Sequence, residues 1–224
     1  MLLVCEYFLQ FVTFKETANN ILQIRLFCEI NKMIKIIFKK IKSKLAMILF
    51  YARNIIAASR ISEINNTEID DFLFRGYSSL DEDVVAKIYH QLNDGAVFSP
   101  MQRRLYHRIG RRCLFVVEQR ERVGSSKIVG MNIYYMNKKD IKENTIHEGF
   151  IGVVPEASGR GVATKMRQLA IQHFKLAGFS GVSTRISLNN SASLMSAKKI
   201  GFEPVEEYQE PSTGEKRYYM ICNF

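Results

Sequence analysis

A proline-stopped, glycine-rich turn leading into a helix is where the residue types of this 224-residue chain point most directly to chemistry. The run reads Phe150-Ile-Gly-Val-Val-Pro-Glu-Ala-Ser-Gly-Arg-Gly-Val-Ala-Thr164. A strand is predicted to end at Val154, because Pro155 cannot donate to a sheet ladder. Gly159-Arg160-Gly161 then opens directly into a helix. The first N–H groups of a helix have no internal partner and carry the positive end of its dipole, which makes this junction a seat for a phosphate or pyrophosphate. The two glycines let backbone approach a ligand without a side chain in the way, and Arg160, Lys165 and Arg167 add positive charge nearby. Two other cradles do not fit. A P-loop needs Gly-x-x-x-x-Gly-Lys-Ser/Thr, and a dinucleotide fingerprint needs a third glycine where Thr164 stands. The bland alternative is a tight strand–helix turn with no ligand.

The remaining reactive residue types say less. Cys5, Cys28, Cys113 and Cys222 are scattered, with no Cys-x-x-Cys pair and no histidine at ligand spacing. They predict neither a metal site nor a disulfide framework, but reduced thiols in a cytosolic protein. His90, His107 and His173 fall on predicted helices. His147 and Glu148 are neighbours on the strand that leads to the cradle, and alternation along a strand lets only one of them point inward.

Around this segment the hydrophobic pattern predicts the positioning elements. Phe72–Arg75 reads as a short strand after a junction at Asn65-Asn66-Thr67, with a new organisation beginning near Ile69. Ser79-x-x-Glu82 has the form of a capping box and opens a helix that stops at Asn93-Asp-Gly95. Pro100–Ile109 is a second helix with Arg103, Arg104 and Arg108 on its wet side. Cys113–Glu118 and Ile128–Met136 form a hairpin through Gly124-Ser-Ser. Ile146–Val154 follows as a strand, whose Gly149 and Gly152 suggest a bulge or a close backbone approach. Helix 162–177, strand 182–186, helix 191–200 and two strands near 202–207 and 217–222 complete a mixed α/β domain with six or seven strands.

With these elements in place, the chain resembles the GCN5-related N-acetyltransferases. Val153-Val-Pro155-Glu156 followed by Gly161-x-Ala163 is similar to the family's signature at its strand–helix junction, and Asn190 followed eleven residues later by Gly201-Phe202 is similar to its second signature. The resemblance covers residues 69–224. It implies a mostly antiparallel central sheet flanked by helices, the acyl-CoA N-acyltransferase fold. It implies acetyl-CoA as co-substrate, no metal, and direct attack of an acceptor amine on the thioester. It also implies roles: main chain of Val153 and Val154 pairing with the pantetheine arm, backbone from Ser158 and Gly159 through Arg160, Gly161, Val162, Ala163 and Thr164 around the pyrophosphate, and Asn190 as a further contact. The amine must lose a proton, and Glu148 is the first candidate base. Two positions depart from the family pattern. Ser158 stands where Gln or Arg is usual, and Ala197 stands where many relatives place a tyrosine acid, with Ser196 beside it. A thiol of pKa about 8.5 leaves tolerably without help.

The acceptor is expected against Arg103, Arg104, Tyr106, Tyr134 and Tyr135. Basic and aromatic groups suit an anionic or sugar-containing amine, such as an amino sugar of envelope polysaccharide synthesis. A non-catalytic acetyl-CoA-binding module, a partner-docking module and a protein-amine acetyltransferase are the alternatives. The net charge of +10 is local: Lys35, Lys39, Lys40, Lys42, Lys44, Arg53 and Arg60 give +7 over residues 33–60, which hold no acid. That pattern argues against a nucleic-acid footprint of the whole protein. In the same stretch Ile34, Ile37, Phe38, Ile41, Leu45, Ile48 and Leu49 form one helical stripe, which suggests a peripheral membrane helix and an enzyme at the inner face of the membrane. Residues 1–60 are therefore read as an N-terminal extension. No signal peptide or membrane-spanning segment is predicted, and Met33 or Met47 is an alternative start. Nothing in the sequence sets the oligomeric state.

Overall fold

The computed structural model describes residue 29 and residues 32–121 and 125–224. The expected turn at Gly124 and the readings of the first residues lie, wholly or in part, outside them. Two compact units, Met1–Leu49 and Phe50–Phe224, divide the chain. Residues 32–58 are helical (α1), and the division falls within this helix.

In the second unit, Asn54 fastens the end of α1. Its amide donates to the Phe50 and Met136 carbonyls (2.9 and 3.1 Å) and accepts from the Met136 N–H (2.7 Å). Ala58, Ile61 and Ile64 are buried, so the core of this unit already draws on residues before Ile69.

Eight strands form one sheet: Thr67–Ile69 (β1), Phe72–Gly76 (β2), Leu114–Arg120 (β3), Ser126–Tyr135 (β4), Thr145–Val153 (β5), Gly181–Ser187 (β6), Glu203–Gln209 (β7) and Lys216–Asn223 (β8). Their order is β1-β2-β3-β4-β5-β6-β8-β7. The strand beyond the expected seven is β1, three residues long and too short to show alternation. All neighbours are antiparallel except β5 and β6. Helices Glu82–Leu92 (α2), Pro100–Cys113 (α3), Lys138–Glu143 (α4), Val162–Leu176 (α5) and Ser191–Lys199 (α6) complete the unit.

Local chemistry accounts for the helix starts. Ser99 caps α3 with Gln102 in a reciprocal box, and Pro100 occupies its first turn. The expected box at Ser79 lies one residue earlier: Ser78 pairs with Asp81, in a single 3-10 turn ahead of α2. α4 was not foreseen. Its six residues are too few for a visible period, but Asn137 and Asp140 form a capping box around it.

Candidate active site

Strands β5 and β6 part company where the site begins. Their parallel pairing covers only Thr145 to Glu148 against Gly181 to Thr184. Beyond it, β6 stays on β8 and β5 stays on β4, so a wedge opens between them. In the β4–β5 register Ile133 faces Phe150 and Tyr134 faces Glu148, which leaves Gly149 as the extra residue of a bulge. A Cβ at Gly149 would lie 2.2 Å from the Tyr135 ring, so the ring's position excludes any side chain there.

The hydrogen-bond phase of β5 decides which backbone groups face the wedge. Val154 N–H donates to the Val129 carbonyl of β4 (2.8 Å). Bonded pairs alternate along an antiparallel ladder, so the N–H and C=O groups of Ile151 and Val153 point away from β4, into the wedge. The two-residue expectation is thereby corrected: Val153 offers its main chain, whereas the N–H of Val154 is committed inside the sheet.

The strand then delivers the chain to the glycine turn. Gly159 and Gly161 sit at φ +75 and +78, with no atom within 4 Å of an added Cβ. Positive φ favours glycine, and the space beside both residues is open. Gly161 is the N-cap of α5. The first bond within the helix runs from Lys165 N–H to the Gly161 carbonyl (2.9 Å), so the N–H groups of Val162, Ala163 and Thr164 lack helical acceptors. A cavity of about 330 Å³ lies over this turn, lined by Val153, Ser158, the two glycines, Ala163, Thr164 and, from α6, Ser196 and Lys199.

Two of the three expected cations, Arg160 and Arg167, are placed differently from expectation. Arg160 is turned to Asp71, with Nη2–Oδ1 at 2.6 Å, and covers the Phe72 ring at 4.4 Å. The Arg160 guanidinium holds the Asp71 carboxyl below its ordinary range. Arg167 is in the interior, with 1% of its side chain exposed, and contributes no charge to the cradle. Lys199, which sequence reasoning passed over, supplies the cation on the cradle wall. Its only signal was its place in the last turn of α6.

Arg167 instead meets Glu148 beneath the wedge. Its Nη2 lies 2.7 Å from Oε1, and its Nε lies 3.1 and 3.0 Å from the two carboxylate oxygens. Asn132 Nδ2 (3.1 Å), Tyr134 OH (3.3 Å) and Thr184 Oγ1 (3.3 Å) also donate to this carboxylate. Burial opposes its charge, but the Arg167 guanidinium and these donors outweigh burial and hold the carboxyl below its usual value. The other edge of Arg167 donates to the Ser193 carbonyl (3.2 Å) and Oγ (3.1 Å) of α6. A second cavity, of about 500 Å³, is lined by Glu148, Phe150, Thr184, Arg185, Asn190 and Arg217, among others.

Neighbouring candidates are otherwise occupied. His147 is buried, and burial lowers its pKa to about 4. Its Nδ1 lies 2.7 Å from Ser183 Oγ, which donates to Asp140. Asn190 caps α6 by accepting from the Ser193 N–H (3.0 Å) and lines the second cavity. Ala197 is fully buried, and Ser196 Oγ lies 3.2 Å from Thr164 Oγ1. The expected acceptor wall is corrected at Tyr134, a core residue; Tyr106, whose hydroxyl donates to the Tyr134 carbonyl (3.1 Å), lines a cavity of about 310 Å³ together with Tyr135. Arg103 is paired with Glu82.

A sheet wedged open beside a glycine-capped helix agrees with the relationship found by sequence. Residues 82–202, more than half of the chain, match the Acetyltransferase (GNAT) family. The chain belongs to the GNAT acetyltransferase family. It is an acetyl-CoA-dependent N-acetyltransferase. No curated protein sequence matches it. Several solved structures share the GNAT fold. A chain of the NatC complex bound to Gag peptide and CoA superposes with TM-score 0.60 at 14% identity, over 69% of this chain and 99% of that one. Arabidopsis thaliana Naa50 with the bisubstrate analogue CoA-Ac-MVNAL gives 0.58 at 13%, over 69% and 100%. Salmonella typhimurium yncA with its cofactor acetyl-CoA gives 0.56 at 16%, over 69% and 94%. At these identities the likeness is one of fold.

Proposed function

We propose that this chain transfers the acetyl group of acetyl-CoA to the primary amine of a small polar acceptor bound at the Glu148 end of the wedge, in the cytoplasm. The observation that carries the reading is the wedge. β5 runs on past its last pair with β6, exposes the main chain of Ile151 and Val153, and leads through a single 3-10 turn, Pro155–Ala157, into the Gly159–Gly161 turn. An extended pantetheine arm suits the first, and a pyrophosphate suits the second. Ser158, Gly159, Gly161, Val162, Ala163 and Thr164 form the cradle in this reading. Lys199 supplies the charge, and Asn190 contacts the ligand from the start of α6.

Acetyl-CoA supplies an activated acyl group. The residues supply position. Glu148 lines the cavity as a carboxylate whose proton affinity Arg167 has lowered. Paired with Arg167 and 1% exposed, it does not act as the base that the sequence suggested but holds the floor of the cavity in place, and the proton of the acceptor amine leaves through the open cavity to solvent. No side chain replaces the tyrosine acid of relatives at Ala197, so the thiolate departs unassisted or through water. The amino-sugar acceptor loses the support of Tyr134, which is a core residue. The polar walls given by Arg185, Ser187, Asn189 and Arg217 support a small, hydrophilic amine.

Calorimetric titration of acetyl-CoA into the full chain tests the reading. The wild type is expected to bind at micromolar levels, and Gly161→Glu, which fills the cradle with a carboxylate, is expected to abolish binding while the protein stays folded. Thiol release with a panel of primary amines then separates turnover from mere binding. A folded wild type that fails to bind would refute the assignment of the cradle. Binding with no turnover of any amine would favour an acetyl-CoA sensor.

A further inference from the structure

Residues 32–49 of α1 present an apolar face that no described residue of this stretch covers. Ile34, Ile37, Phe38, Ile41, Leu45, Ile48 and Leu49 are between 43% and 68% exposed. Single exposed apolar residues are ordinary, but seven on one face are not. At 3.6 residues per turn they fall within a sector of about 120°. Lys42, Lys35 and Lys39 border one side of that sector, and Lys44 and Lys40 border the other. Ser43 stands opposite its centre. No acidic residue occurs between positions 33 and 60.

The charges choose the occupant. A second copy of the helix would bring two lysine-edged seams together, with no acid to answer them, whereas paired helices place opposite charges there. No described helix is long and apolar enough to cross a membrane. A bilayer surface satisfies both features. Its headgroup–acyl boundary takes the apolar face, lysine stems run along that boundary while their ammonium groups stay in water, and anionic headgroups supply the missing counter-charge. We propose that α1 is an interfacial helix that seats on an anionic lipid surface, lying in its plane over about 27 Å. The inference is independent of what the enzyme acetylates.

Vesicle flotation of the full chain tests it. The protein should float with phosphatidylcholine vesicles containing phosphatidylglycerol and not with phosphatidylcholine alone, and added salt should weaken binding. Ile37→Ser, Ile41→Ser and Ile48→Ser together keep the charge and remove apolar contact, so the partition should fall on the order of a hundredfold. Lys35→Gln, Lys39→Gln and Lys42→Gln should each weaken binding by about fivefold. All these positions are exposed, and circular dichroism with acetyl-CoA titration on the same variants establishes that the fold persists. No flotation, equal flotation on neutral vesicles, or a serine variant that binds like wild type would each overturn the proposal. So would a dimer seen by light scattering that the serine changes dissolve, since that would place a second copy on this face.

Discussion

Replacing Arg167 by methionine keeps most of the side-chain volume and removes the guanidinium, leaving Glu148 buried with three weaker donors. Both side chains are 1% exposed, so water cannot take over. Breaking a buried pair from one side costs about 3–5 kcal/mol. For a unit of this size each kcal/mol moves the melting temperature by about 2–4 °C, so the expected fall is roughly 10 °C. The pH dependence should change sign. In the wild type the carboxyl is held below its unfolded value, so its contribution is present above that value and is lost as pH falls through the folded pKa. Without Arg167, burial dominates and raises the folded pKa above the unfolded one. The contribution is then complete below the unfolded pKa and is lost as pH rises through the folded pKa. Urea unfolding at pH 7 and pH 5 should therefore show a deficit that shrinks on acidification, and adding Glu148→Gln should recover part of it at pH 7. A loss below about 1 kcal/mol, far under the value for a broken buried pair, would refute the reasoning, as would a deficit that grows in acid.

Gly149→Ala drives a methyl into the Tyr135 ring and should cost about 1–3 kcal/mol; thermal melts of this variant, Tyr135→Ala and the double variant should show favourable coupling between the two changes. Arg160→Gln should change acetyl-CoA affinity by less than about threefold, because its guanidinium is committed to Asp71, whereas Lys199→Gln should weaken it by about fivefold, the worth of one exposed charge contact; calorimetry measures both. His147, with its pKa lowered to about 4 from 6.5, favours the fold most above pH 6.5, and its contribution is lost as pH falls from there toward 4. Its ring proton resonance should titrate near that lower value, and a midpoint near 6.5 would contradict the burial.

The junction from Val153 to Thr164 was legible in the sequence because each of its steps is a backbone requirement that residue type announces. Pro155 ends a ladder, glycine takes positive φ, and the helical period resumes at Val162. The second motif was legible because Asn190 and Gly201 bracket one short helix. What the sequence concealed was the direction of long charged side chains. Arg167 lies four residues after Ala163 and three before Ala170, on the buried stripe of α5, so its period gave a signal that its charge masked. Arg160 gave no such signal, since its partner Asp71 is 89 residues away. Tyr106 and Tyr134 show the converse, as aromatic groups that suit either a ligand or a core. β1 and α4 were missed because three and six residues hold too little of any period.

The wedge has a consequence for the protein's solubility as well as its chemistry. Most sheets have two edges, and natural proteins guard them because unpaired strand backbone is a template for another chain. Here the parting of β5 and β6 creates a third, in the middle of the sheet, where Ile151 and Val153 hold out main-chain groups with no strand to receive them. Gly149 and Gly152 cannot shield that backbone with bulk, since an added Cβ would strike Tyr135 in one case and Phe150 and Leu92 in the other. A molecule extended along the wedge would close this interior edge. Its presence would then govern how readily the protein joins strands with its neighbours.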